Sequence, residues 1–288
     1  MFSHKPVLLE EVIRYLAPRP GGRFIDATLG GGGHSRAILE RITGGRLLAI
    51  DQDEMVLARQ EEMFGSSSSQ VVFVHSNFKE VATVAAQYGF LECDGVLADI
   101  GISSMMVEDA SRGFSFMREG PLDMRMDRNN PLTAADVVNT YSEKDIADIL
   151  YKFGEERRSR PIARSIVRSR PMSMTTDLAY AVIRVTGGPR RGHIHPATRT
   201  FQALRIYVND ELNSLQEFLD SSMGVVRSGG RIVVITFHSL EDRIVKQKFR
   251  APVVPGRVLT RKVVVASQEE VTTNSRARSA KLRAWERS

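Results

Sequence analysis

The chain has 288 residues but one cysteine, Cys93, and one tryptophan. A lone cysteine excludes an internal disulfide and a cysteine-only metal cage, and it makes a reducing cytoplasm the expected home. No His/Cys cluster has metal-ligand spacing, so no metal is expected. No stretch approaches the roughly 18 apolar residues of a membrane-spanning helix, so no membrane partner is expected. The opening Met1-Phe2-Ser3-His4-Lys5-Pro6 lacks the apolar run of a signal peptide. The phosphate loop G-x-x-x-x-G-K-[ST] is also absent, which argues against a nucleotide hydrolase. No internal repeat of roughly 20–50 residues is found.

What is present is a 42% hydrophobic chain, enough for one large domain or two ordinary ones. The net charge is +6, and it is unevenly placed. Residues 250–288 hold nine Lys/Arg against three Glu, so the rest of the chain is balanced. Within that balanced part, residues 154–205 carry eleven Arg against Glu155, Glu156 and Asp177. Two basic segments on a neutral body suit a polyanion such as a nucleic acid, or else are solvated helix faces and a tail.

The apolar spacing predicts a helix over 7–16, ended by Pro18 and Pro20. Strands are expected at 23–28, 46–51, 71–75 and 95–99, with helices at 34–42, 53–64 and 79–88 and a polar loop at Ser66–Ser69. Strands alternating with helices at this spacing predict a mostly parallel, Rossmann-like α/β sheet with right-handed crossovers. The rhythm breaks after Ser104, and from Thr133 to about Val208 the pattern is helical, which reads as an insertion. It returns at Gly229–Thr236, and Arg257–Ala266 and Ala280–Trp285 are candidates for the last two strands.

The most informative segment is Phe24-Ile25-Asp26-Ala27-Thr28-Leu29-Gly30-Gly31-Gly32-Gly33-His34. A strand ends in an acid, and a glycine turn opens a helix; backbone without Cβ atoms can approach a ligand closely. Asp51 ends the next strand, roughly 20 residues on, where an acid can bind the hydroxyls of a ribose. Alternatively, Asp51 caps the helix that begins near Asp53. Phe78 follows strand three, either as core or as a ring for an adenine, and His34 is a helix-start residue or a hydrogen-bond partner of the cofactor.

NAD, FAD and S-adenosylmethionine all fit a glycine turn, but three details favour the last. Asp26 stands four residues before Gly30 in D-x-x-x-G-x-G, placed to attract an ammonium group. A negative charge there suits a sulfonium cation better than a pyrophosphate, which needs a bare helix N-terminus. The fourth strand ends in Asp99-Ile100-Gly101-Ile102-Ser103-Ser104, where a methyl acceptor would sit. A methyltransferase therefore ranks before a dinucleotide-dependent oxidoreductase, a nucleotide-binding module or a non-catalytic RNA-binding assembly factor. Cys93 precedes strand four, away from Asp99, so thiolate attack on a cytosine ring is excluded. Transfer to a nitrogen or oxygen lone pair remains. Asp99 and the stretch through Ser103 are candidates to orient an exocyclic amine and take up its developing charge.

Longer strings are more specific. They are Gly113-Phe114-Ser115-Phe116-Met117-Arg118, Pro121-Leu122-Asp123-Met124-Arg125-Met126-Asp127, Gly154-Glu155-Glu156-Arg157, His195-Pro196-Ala197-Thr198-Arg199-Thr200-Phe201-Gln202 and Phe237-His238-Ser239-Leu240-Glu241-Asp242-Arg243. With these, the chain resembles the small-subunit ribosomal RNA cytosine-N4 methyltransferases, the RsmH or MraW family. The likeness runs from His4-Lys5-Pro6-Val7-Leu8 to Arg276-Ala277-Arg278-Ser279 and is weakest at 250–272.

The resemblance implies a class I S-adenosylmethionine-dependent methyltransferase fold. A catalytic domain of 1–105 and 206–288 would be interrupted by a helical RNA-recognition insertion at 106–205. It implies N4 methylation of a decoding-centre cytidine of 16S rRNA in the small ribosomal subunit. The family's cofactor positions fall on Gly32, Gly33, His34, Asp51, Phe78 and Asp99. Another, usually polar, falls on Met106, whose thioether is a weak acceptor. Asp26 and Gly30 join them from the motif. Asp99, Ser103 and Asp123 are the catalytic candidates. Asp123 and Arg125 either orient the acceptor or a phosphate, or form a structural ion pair. Phe114, Phe116 and Phe201 either stack on a base displaced from its helix or fill a core. His238 is a substrate contact or a hydrogen-bonded support. The assembly state is open, a homodimer included.

Overall fold

The computed structural model describes residues 6–189, 192 and 194–288. His4 and Lys5 of the opening motif, and Arg190 and Arg191 of the basic run, lie outside the described residues. Two compact units are found, one of Met1–Gly101 with Leu212–Ser288, the other of Ile102–Glu211.

The first unit starts with α1 (Leu9–Leu16), whose Glu10 and Glu11 sit in the first turn, where acids favour the helix dipole. Strands and helices then alternate: β1 (Arg23–Asp26), α2 (Gly33–Leu39), β2 (Arg46–Asp51), α3 (Glu54–Phe64), β3 (Val71–His75), α4 (Val81–Tyr88) and β4 (Cys93–Asp99). The second unit holds α5 (Ser104–Glu108), α6 (Ala134–Thr140), α7 (Glu143–Gly154), α8 (Ser159–Arg168), α9 (Thr175–Thr186) and α10 (Thr198–Val208). The chain returns through α11 (Glu211–Val225), β5 (Val226–Thr236), α12 (Ser239–Arg250), β6 (Gly256–Val258), β7 (Val264–Val265), α13 (Gln268–Thr273) and β8 (Lys281–Arg287).

The strands form one sheet in the order β3-β2-β1-β4-β5-β8-β6, with β7 also on β8. The pairs β1–β2, β2–β3, β1–β4 and β4–β5 are parallel, while β8 runs antiparallel to β5, β6 and β7. Helices cover both faces, so β2 reads Leu47-Leu48-Ala49-Ile50 with all four residues buried. Ile25, Ile50 and Val234 pack on one side with Phe218 and Trp285. Phe24, Leu47 and Val233 pack on the other with Val12 and Ile38.

Several elements differ from expectation, for α2 ends at Leu39 rather than 42, and α11, α12 and α13 were not expected. The polar run at 66–69 lies in a 3-10 helix, Gly65–Gln70. The helix expected at 79–88 begins as a separate 3-10 turn, Phe78–Glu80, because the Asn77 side chain accepts from Lys79 N–H and fixes that start. The strand expected at 257–266 is two short strands, β6 and β7. Between them the Thr260 hydroxyl, rather than a strand carbonyl, accepts the Ala284 N–H at 3.0 Å, which interrupts the ladder.

The second unit has its own core, which includes Met106, Phe114, Met124, Ile162, Leu178 and Phe201. Thr133 and Asp136 form a capping box at α6. Met126 N–H donates to Asn209 Oδ1 at 2.7 Å, and Asn209 Nδ2 donates to the Met124 carbonyl at 2.8 Å. These bonds tie the aperiodic 107–133 stretch to the end of α10.

Candidate functional site

The chain runs from β1 outward to β2 and β3, then crosses to β4 on the other side of β1. Such a reversal leaves a crevice beyond the carboxyl ends of the strands, where open α/β sheets bind ligands. Three aspartates end the strands there: Asp26 on β1, Asp51 on β2 and Asp99 on β4.

Asp26 is an anchor in the present bonding. Its Oδ2 accepts from Ser35 Oγ at 2.6 Å and its Oδ1 from Thr28 N–H at 3.2 Å. It is 1% exposed, and burial pushes its pKa up to about 6. Thr28 passes the link on, since its Oγ1 accepts from Asp99 N–H at 2.6 Å. Two strand ends and the start of α2 are thereby held in register.

Asp51 holds the glycine turn. Its Oδ2 accepts from Gly30 N–H and its Oδ1 from Asp53 N–H, both at 2.9 Å. It does not cap α3; Asp53 does, accepting from Met55 N–H at 3.1 Å. A carboxylate offers roughly four lone-pair directions, so acceptor capacity remains at Asp51 for hydroxyl donors. Burial pushes its pKa up to about 6 against the pull of those amides.

The glycines divide by role. Gly30 has φ +48°, and a Cβ there would find nothing nearer than Thr28 O at 3.9 Å, so its backbone faces open space. Gly32 has φ +70°, and a Cβ would meet Gln60 Oε1 at 2.5 Å and Phe64 at 3.0 Å. At Gly33 a Cβ would press on the Pro6 ring at 3.0 Å. Gly30 thus leaves a cradle, while Gly32 and Gly33 allow α2 to pack against α3 and the N-terminal segment.

Asp99 differs from the other two acids. Its Oδ1 is buried and has no hydrogen-bond partner. Its Oδ2 lies 3.8 Å from His34 Nδ1. Burial pushes its pKa up to about 7; Arg276 pulls it down and Glu241 pushes it further up. His34 Nε2 lies 2.9 Å from the Val7 carbonyl, which can only accept, so Nε2 carries the hydrogen. Burial lowers the His34 pKa, so the neutral ring presents the Nδ1 lone pair toward Asp99. The contact is therefore a carboxyl beside a neutral imidazole rather than an ion pair.

Phe78 is 8% exposed and meets Phe218 edge-on, with ring centroids 5.3 Å apart. His238 supports α12: Nδ1 accepts from Glu241 N–H at 3.4 Å, and Glu241 Oε2 accepts from Phe237 and His238 N–H at 2.8 and 3.2 Å. Nε2 approaches Glu241 Oε1 to 3.0 Å without hydrogen-bond geometry, so the contact is electrostatic. Cys93 is buried at the other end of β4, about 20 Å from Asp99 at strand rise, and burial pushes its thiol up to about 12.

In the second unit the candidate groups already have structural bonds. Ser103 Oγ caps α5, accepting from Met106 N–H at 3.2 Å. The Met106 side chain is 5% exposed, in the helical core. Asp123 is held by Arg125 through two bonds, Nε to Oδ1 at 2.8 Å and Nη2 to Oδ2 at 2.9 Å, which keep its pKa below the usual carboxylate value despite partial burial. Phe114 and Phe201 are buried in the same core. Phe116 stacks on His195 with centroids 4.3 Å apart and meets Phe201 edge-on.

Thr28, Ser35, Val7, Glu241 and Arg276 act on the site but were not picked out from the sequence. All but Ser35 lie in the strings quoted above without a role assigned to them, and Glu241 has a further signal in the capping-box spacing His238-x-x-Glu241.

A dinucleotide fold has a parallel sixth strand in the order 3-2-1-4-5-6. Here antiparallel β8 takes that place, beside β5. With a glycine cradle at Gly30 and acids at the crevice, the fold and site define a class I S-adenosylmethionine-dependent methyltransferase. Residues 1–288 match the model of the MraW methylase family. A relative from Nostoc punctiforme is 51% identical over 99% of this chain and 94% of its own length. Relatives from Carboxydothermus hydrogenoformans (47%) and Acidobacterium capsulatum (50%) each cover 99% of this chain and 98% of their own. All three are named ribosomal RNA small subunit methyltransferase H. The chain belongs to the MraW methylase family.

Proposed function

We propose that this protein transfers a methyl group from S-adenosylmethionine to the exocyclic N4 of a decoding-centre cytidine in 16S rRNA, within the small ribosomal subunit. The observation that carries this reading is the buried, unpartnered Asp99 Oδ1 at the end of β4, in a chain of the MraW family.

The residues fit the cofactor. Gly30 leaves space beside the turn, Asp51 keeps acceptor capacity for a ribose diol, and Asp99 adds a second carboxyl at the crevice. Gly32, Gly33 and Asp26 hold the shape of that cradle, and Phe78 would supply an apolar wall for the adenine. The bound cofactor supplies an electrophilic methyl group on a cationic sulfur.

The part-exposed Asp99 carboxylate accepts an N–H of the acceptor amine, which keeps the nitrogen lone pair out of conjugation and draws off developing positive charge. Thr28 fixes the Asp99 backbone for this task. The amine's proton is taken up at the Asp99 carboxyl, whose pKa of about 7 suits it to hold and then release that proton to solvent. Residues 106–205 serve RNA recognition, and within the second unit Ser103 caps α5, Asp123 pairs with Arg125 and Met106 fills the helical core. The reading implies a cytoplasmic enzyme, and light scattering separates a monomer from a homodimer.

The test is incorporation of labelled methyl into small subunits that lack the modification, followed by digestion to nucleosides. Label in N4-methylcytidine is expected. Label in another nucleoside or in protein, or tight NAD binding without transfer, overturns the proposal.

A further inference from the structure

The eleven arginines of residues 154–205 divide sharply by what they touch. Five tie the helical unit together. Arg170 donates to the carbonyls of Val138 and Tyr141, Arg205 forms a two-pronged pair with Glu211, and Arg199 reaches the Glu155 carbonyl. Arg184 donates to Ser169 Oγ and Arg158 to the Val185 carbonyl. Arg190 and Arg191 lie outside the described residues.

The other four are Arg157, Arg160, Arg164 and Arg168. All are exposed. Arg157, Arg160 and Arg168 make no hydrogen bond or ion pair among the described residues. Arg164 touches Glu143 of α7 at 3.3 Å, but both side chains are about half in water, where such a pair contributes little.

Three of the four belong to α8 at a spacing of four. At about 3.6 residues per turn, Arg160, Arg164 and Arg168 fall on one face, in a stripe about 12 Å long. The opposite face is buried through Ile162, Ala163 and Ile166. An ordinary solvated helix face mixes signs. Here no acid occurs between Glu156 and Asp177. Every cation in the stretch is a guanidinium, whose planar fork matches phosphate oxygens two at a time.

We infer that the exposed face of α8 is a docking surface for the phosphate backbone of RNA, with Arg160, Arg164 and Arg168 as its phosphate contacts. The surface contributes affinity and orientation rather than choice of base. This inference rests on the rRNA substrate proposed above and adds where that substrate is held.

The test compares wild type with R160Q/R164Q/R168Q and R160K/R164K/R168K in filter binding to 16S rRNA across a salt series. Each lost phosphate contact removes about 0.7–0.9 from the slope of log K against log salt. The glutamine triple should lose a slope of about two to three and bind roughly 100-fold more weakly at 0.1 M salt, while the lysine triple keeps most of the slope. Melting temperature and S-adenosylmethionine affinity should stay at wild-type values. If the triple melts early, the single variants decide, each lowering the slope by about one. An unchanged slope in a folded glutamine variant overturns the inference, as does a loss produced instead by neutralising Arg250, Arg261 and Lys262. A wild type that binds no rRNA and transfers no methyl removes the substrate reading, and this inference with it.

Discussion

Asp99 and Asp123 are two aspartates in two compact units, and their surroundings give them opposite properties. Asp99 ends a buried parallel strand, keeps one oxygen without a partner and holds its proton up to about pH 7. Asp123 sits in an aperiodic stretch with both oxygens on one guanidinium, and its pKa is lowered. Desolvation that outweighs the pull of Arg276 makes the Asp99 carboxyl available for proton chemistry, whereas a two-pronged pair commits Asp123 to structure. The same contrast holds more widely: Asp51 keeps acceptor capacity at the strand ends, while the Ser103 oxygen is spent on a helix cap.

The sharpest way to break the comparison is Asp99→Ala. Methyl transfer should fall by about 100- to 10,000-fold, the range for a positioned acid–base group, with cofactor affinity much less affected. Equal losses in single-turnover rate and in calorimetric affinity would move Asp99 to a binding role. Next in size is Asp51→Ala, which should weaken S-adenosylmethionine by roughly 1–3 kcal/mol in calorimetry, the scale of hydrogen bonds to a charged group. Unchanged affinity would leave Asp51 as a brace for Gly30 alone.

A pH series sharpens the contrast further. The folded pKa values of Asp26, Asp51 and Asp99 are raised to about 6, 6 and 7. The ligand-free folded protein therefore binds protons that the unfolded chain releases. Its advantage from these groups is full below about pH 4 and is lost as pH rises through 6–7. A cation favours the ionised carboxyls, so the thermal shift given by S-adenosylmethionine should grow from pH 5 to pH 8. A shift that is flat over this range would show that these groups do not titrate in the crevice. The smallest effect is expected from Asp123→Ala. Unfolding free energy should fall by about 1 kcal/mol or less in denaturant titration, as for a partly exposed ion pair, with cofactor affinity unchanged.

How much was legible follows from particular residues. Apolar runs made β1, β2 and β4 readable, because strands buried on both faces must be almost wholly apolar, and the half-buried edge strand β3 keeps the β-branched and aromatic run Val71-Val72-Phe73-Val74. Arg257–Ala266 misled because its strand-like composition hides Thr260, whose hydroxyl replaces a ladder carbonyl only once β8 lies alongside. Which of Asp51 and Asp53 caps α3 turned on which side chain faces Met55 N–H, and spacing alone does not fix that. The arginines of 154–205 looked alike in one dimension and separated only when carbonyls from distant helices came within reach.

Composition and spacing were enough to set the α/β rhythm, the glycine turn and the acids at three strand ends, since each depends on a residue's near neighbours. The proton affinity of Asp99, the tautomer of His34 and the division of the arginines came from folding. Each depends on desolvation or on a partner far along the chain, such as Val7 for His34 or Glu241 and Arg276 for Asp99, and no local pattern encodes that distance.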